Sequence, residues 1–208
     1  VVERCFNSGE LLASCFPSEL YVGGIVGHLN VNVTLRQCYN TADIWLEPWS
    51  YCGRSAYLGG IAGVSYSPVS ECYNLGDVGS GQSDSGPYYE MVCGGIVGQF
   101  AMVDSSAYTL SIEDCYSAGT VVARAYGTDY AGGIVGKVEQ NGRYLYVERC
   151  VVLSPEVSAY MDSTPGGMGS SGPFKASVLG TDVSASSGTN YYQNTIVTRG
   201  EGMLSKKG

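Results

Sequence analysis

A single histidine, His28, stands in a chain of 208 residues. That scarcity excludes much chemistry. A zinc-peptidase helix needs the two histidines of H-E-x-x-H, and a Ser-His-Asp or Cys-His site could be built only through His28. No C-x-x-C pair occurs, so the cysteine spacing does not suit a zinc knuckle. Lysine and leucine are scarce, and no stretch carries helical periodicity of useful length, which argues against helical repeat arrays. Positive charge is short too: 11 Lys and Arg face 19 Asp and Glu, a formal net charge of −8 with no basic run. A nucleic-acid duplex or an anionic membrane would repel such a surface. No apolar run approaches the roughly 20 residues of a membrane-spanning helix.

What is abundant is glycine (30) and tyrosine (17), a bias that suits tight turns and pleated surfaces. The glycines recur in a box: "YVGGIVGHL" (Tyr21–Leu29), "YLGGIAGVS" (Tyr57–Ser65), "VCGGIVGQF" (Val92–Phe100) and "YAGGIVGKV" (Tyr130–Val138). A second box accompanies it: "VERCFNSGEL" (Val2–Leu11), "LRQCYNTADI" (Leu35–Ile44), "VSECYNLGDV" (Val69–Val78), "IEDCYSAGTV" (Ile112–Val121) and a looser "VERCVVLSPEV" (Val147–Val157). The leading glycines are spaced by 36, 35 and 38 residues and the boxed cysteines by 33, 34, 43 and 35. Two markers with one period imply stacked units. A propeller blade needs four strands and more than about 40 residues. Here three strand candidates stand out per unit: the glycine box, the cysteine box and the short piece after its turn. The expectation is an all-β fold, a right-handed parallel β-helix (β-solenoid) of about five rungs of roughly 35 residues with three short strands each. Residues 1–161 carry the repeats. Residues 162–208 read as a degenerate last rung or irregular C-terminal cap of the same domain, "STPGGMGSSGPF" as loop and "NYYQNTIVT" as one more strand.

In such a stack, identical side chains meet at the strand spacing of about 4.8 Å. Ile25, Ile61, Ile96 and Ile134 are expected inside, joined through strand parity by Gly27, Gly63, Gly98 and Gly136. His28, Val64, Gln99 and Lys137 vary freely and are expected to face water, which makes His28 a bystander. Asn7, Asn40, Asn74 and Ser117 fall in a turn that an amide ladder would satisfy. Cys5, Cys38, Cys72, Cys115 and Cys150 form a column of buried free thiols, since in-register cysteines point the same way and strain a disulfide. Cys15–Cys52 is the one disulfide candidate, given an extracellular setting.

Phosphate-loop look-alikes fail on context. Gly167, Gly169 and Gly172 spell G-x-G-x-x-G, but Pro173 follows and no helix does. Val138 stands where the Ser or Thr of a phosphate loop would follow Lys137. Glu10, Asp43, Asp77 and Glu156 recur at one turn position, with Thr120 in the fourth copy. They read as exposed turn polarity, with a calcium- or sugar-binding row as the sharper alternative. Phe6, Tyr39, Tyr73 and Tyr116 form an aromatic column. Trp45, Trp49, Tyr51, Tyr88, Tyr89 and Tyr108 fall in inserts of unequal length. Inserts on repeat scaffolds gather on one face, and these six are the candidate ligand-binding residues. No catalytic residue, metal ligand or cofactor is assigned.

The alternation of "GGIVG" with "CYNxGxV" resembles the GLUG-motif repeats of bacterial surface proteins, over Val1–Val157. Such repeats occur in adhesin-like proteins and in non-catalytic regions of IgA-protease-type metallopeptidases. The resemblance implies a secreted or surface-anchored bacterial protein, of which this chain would be a piece. It suits a non-enzymatic adhesive or stalk module, monomeric, with a glycan or protein as partner. The alternative is a carbohydrate-active β-helix enzyme, a polysaccharide lyase or hydrolase, for which Asp43 and Asp77 could supply carboxylates.

Overall fold

The structure, a computed structural model, describes residues 1–14, 19–47, 55–80, 90–101, 110–125, 128–139, 145–161, 174–176 and 196–199. All regular structure among them is β, and no helix is long and apolar enough to cross a membrane. The strands stack in parallel as a β-solenoid, each pairing with its copy about one period away.

Each rung holds five short strands, not three. Following the cysteine box, the second rung runs Leu35–Arg36, Tyr39–Asn40, Ile44–Leu46, Ser55–Gly59 and Ala62–Ser65. These belong to five sheets, called here the first to the fifth, which are six, five, five, five and four strands deep. The cysteine box is two strands because a corner divides it. The residue before each boxed cysteine, Arg4, Gln37, Glu71, Asp114 or Arg149, takes φ between 51° and 56°. A left-handed residue breaks a strand, and no glycine marks the place. In the tail, Phe174–Ala176 extends the fourth sheet and Ile196–Arg199 the first.

The interior divides into two hydrophobic clusters. One packs the first and fifth sheets around Ile61, Ile96, Ile134 and the cysteine-box residues Cys38, Cys72, Cys115 and Cys150. The other packs the third and fourth around Ile44, Leu58, Met91 and Val121. Ile25 is only half-buried. Between the clusters lies a waist. Asn40 and Asn74 point inward, fully buried, and meet the second glycine of the opposite wall. A Cβ on Gly60 would fall 2.1 Å from Gly95 O and 2.4 Å from Asn74 Cγ. Gly24 faces Asn40 and Gly95 faces Ser117 in the same way. The two sequence boxes are thus the two sides of one contact, which only a residue without a side chain can make.

The asparagines form the expected ladder. Asn7 Nδ2 donates to Asn40 Oδ1 at 2.8 Å, and Asn40 Nδ2 donates to Asn74 Oδ1 at 2.7 Å. Each amide also donates within its own turn, as Asn74 does to Gly76 O at 2.7 Å. Phe6, Tyr39, Tyr73 and Tyr116 stack at 5.3, 4.9 and 4.8 Å with ring planes 12° or less apart. Cys5, Cys38, Cys72, Cys93, Cys115 and Cys150 are free thiols, all buried except Cys5. In the column each donates to the carbonyl two residues earlier, for example Cys72 Sγ to Ser70 O at 3.1 Å. Cys15 and Cys52 lie outside the described residues.

Two expectations about the glycine box are corrected. Gly27, Gly63, Gly98 and Gly136 do not share the isoleucine cluster. The pairing of the fifth sheet skips them, and the preceding residues, Ala62, Val97 and Val135, enter the core instead. A Cβ on Gly63 would meet Val22 N at 2.6 Å, and one on Gly98 would meet Leu58 O at 2.8 Å. The glycines let the fourth and fifth sheets close on each other from outside. For the same reason, the residues expected to face water mostly do not: Val64 is 2% and Gln99 7% exposed. Lys137 is half-buried, and only His28 is exposed.

Candidate functional site

Where the fourth and fifth sheets close on each other, their outer faces pack into a seam. Its sides are two columns of outward residues, Tyr21, Tyr57, Val92 and Tyr130 on the fourth sheet and His28, Val64, Gln99 and Lys137 on the fifth. Tyr57, Val64, Val92, Ala101 and Tyr130 form a third apolar cluster, against which Tyr21 and Tyr66 pack. Tyr21 stacks on Tyr57 at 5.4 Å. His28 meets the Tyr21 ring edge-on at 5.5 Å and lies 5.2 Å from Tyr66. Farther along, Lys137 Nζ sits 5.0 Å over the Tyr130 ring and pairs with Glu90. Gln99 Nε2 donates to Glu139 at 2.8 Å. Burial pushes the Tyr57 hydroxyl up to about 12. Tyr21 is raised by burial and by its hydrogen bond to Glu19. Both phenols are neutral hydrogen-bonding groups at ordinary pH.

Beside Tyr66 lies a pocket of about 260 Å³ at the corner between the fifth and first sheets. Tyr66, Pro68, Val33 and Leu110 give it apolar walls; Asn32, Thr34 and Ser67 give it polar ones. Ser67 ties the corner together. Its hydroxyl donates to Asn30 O at 2.8 Å and accepts from Val33 N at 3.2 Å. Ser65 Oγ donates to Ser67 O at 2.7 Å. Asn32 holds φ at 62°, among the described residues the one left-handed non-glycine residue away from the cysteine-box corner.

Of the six candidate residues read from the sequence, Trp45 alone lies among the described residues. It sits half-buried on Ile44–Leu46, with Cζ3 3.0 Å from where a Cβ on Gly79 would stand. Trp45 therefore lies over the bare backbone of the next rung. Trp49, Tyr51, Tyr88, Tyr89 and Tyr108 lie outside the described residues. The acidic row has a structural use: Asp43 Oδ1 accepts from Asp77 N at 2.8 Å, and Asp77 Oδ1 from Thr120 N at 2.7 Å. Each carboxylate satisfies a backbone amide of the next rung. Among the described residues, no three His, Cys, Asp or Glu side chains group as metal ligands.

Sequence reasoning missed Tyr66 and the polar pair Asn32 and Thr34. A signal existed: "SYSP" after the second glycine box has no counterpart in the other copies. No family model matches the chain, and neither a curated protein nor a solved structure shows significant similarity to it.

Proposed function

We propose that the chain is a non-enzymatic repeat module, a shaft that carries adhesive surfaces, from a secreted or cell-surface protein of GLUG-repeat type in a bacterium. One observation carries this reading. The repeated polar and aromatic columns are engaged with their own copies: asparagine on asparagine, tyrosine on tyrosine, carboxylate on the next rung's amide. Residues so engaged build length and stiffness. Recognition then falls to positions that break the repeat, in the inserts and at the corner pocket beside Tyr66, with a glycan or a protein as partner and the chain acting as a monomer.

Glycan and protein arrays, run beside an assay for reducing or unsaturated sugar ends on a polysaccharide panel, test the reading. Saturable retention without sugar release is the expected result. Release that disappears in a folded Asp77→Asn variant would overturn it in favour of a carbohydrate-active enzyme.

A further inference from the structure

The pocket beside Tyr66 has a composition that selects a ligand class. None of the described residues that line it is charged, so among them an ionic ligand would lose its hydration without a partner. Three uncharged groups can hydrogen-bond there: the Asn32 amide and the hydroxyls of Thr34 and Tyr66. Among the described residues these side-chain groups have no hydrogen-bond partner. A purely aliphatic ligand would bury them unsatisfied. The same pocket is lined by Tyr66, Pro68 and Leu110, which offer flat or apolar surfaces suited to C–H faces. The volume, about 260 Å³, falls just under the roughly 300–1,000 Å³ of sites for drug-sized ligands. The site is also built in advance, because the two hydrogen bonds of Ser67 fix the 30–34 turn against the 65–68 segment. A ligand that meets a fixed wall does not have to order it.

One class of molecule matches all of this: an uncharged ring with an apolar face and a rim of hydroxyls. We propose that this pocket binds a single neutral pyranose unit of a glycan, with Tyr66 as the platform and Asn32 and Thr34 as the hydroxyl partners. The site deepens the adhesive reading and rests on it, and it places recognition in the wall of the solenoid as well as in the inserts.

The test titrates the chain with methyl β-glucopyranoside, methyl β-galactopyranoside, methyl α-mannopyranoside, N-acetylglucosamine and glucuronate, followed by saturation-transfer NMR and amide shifts. At least one neutral sugar is expected to bind saturably, with glucuronate about tenfold weaker or more. Thr34→Val and Asn32→Gly, which keep shape and backbone angle, are each expected to weaken binding by about five- to tenfold. Tyr66→Phe keeps the platform and loses only the hydroxyl, a smaller effect. Leu75→Ser, at an exposed position just after the strand Tyr73–Asn74, leaves binding unchanged. Saturation by no neutral sugar, equal affinity for glucuronate, or affinity indifferent to all three pocket changes would overturn the site. Absence of binding leaves the shaft reading standing. Sugar release in the same samples would instead overturn the non-enzymatic reading and keep the site.

Discussion

At the scale of single residues, the waist between the two cores is the least tolerant place in the molecule. A methyl group at Gly60 would sit 2.1 Å from a backbone oxygen of the next rung and 2.4 Å from Asn74, distances no rotamer change can relieve. Gly60→Ala is expected to give no soluble, folded protein, checked by expression and circular dichroism. Asn74 acts from the other side. It is fully buried, accepts from Asn40 and donates to Gly76 O, so Asn74→Ala removes two hydrogen bonds and leaves Asn40 with a donor unmet. The expected loss is about 2–3 kcal/mol in urea unfolding. Arg149 offers the contrast. It reaches Glu113, Asp114 and Glu148 together, but in solvent, where ion pairs contribute little. Arg149→Ala is expected to leave the urea midpoint nearly unchanged.

At the scale of the strand and its column, the sequence made the stacking legible because identical residues at one period can only meet their copies. The amide ladder, the tyrosine stack and the thiol column were all readable that way. The corner was not: a left-handed Gln37 or Glu71 carries no glycine to announce it, so one box concealed two strands. Nor was the outer seam between the fourth and fifth sheets. Parity assumes unbroken alternation, and the skip at Gly63 and Gly98 turns Val64 and Gln99 into the floor of a fold-in wall. The thiols also set a pH dependence. Burial holds Cys93 well above the ordinary thiol value of 9.0 and pushes Cys38 up to about 11. Cys115, flanked by the Cys150 and Cys72 thiols and buried, is held well above the ordinary value too, whereas Cys72 and Cys150 are lowered by their contact with Cys115. For a raised group the unfolded chain releases its proton first. The stabilisation is therefore complete below pH 9 and is lost as pH climbs toward 11. The urea midpoint is expected to fall across that window. In Cys93→Ala, which lies outside the column, the fall becomes shallower although the midpoint at pH 7 drops. An equal slope in both proteins would mean that Cys93 ionises as readily folded as unfolded.

At the scale of the whole molecule, the contacts run along one axis. Each strand pairs with strands one period before and after, and the ladders connect neighbours only. Stability in such an array is close to a sum of rung terms and interface terms. A load applied along the axis then meets one rung boundary at a time. Yet the rungs are not equal. Those of the middle carry the fully buried Ile61, Ile96 and Ile134, whereas Ile25 is half-buried and Phe6 is 64% exposed. Pulling from both termini in an optical trap is therefore expected to start at the N-terminal rung and release the chain in steps. A period of about 35 residues, drawn out at roughly 3.4 Å per residue, gives contour increments of about 120 Å. Stepwise release is what a shaft under shear would use, because a lost outer rung leaves the rest stacked, although the pocket beside Tyr66, whose Asn32 and Thr34 close the N-terminal rung, opens with it. A single rupture of several hundred ångströms would show that the waist couples all rungs into one unit and would count against the shaft reading.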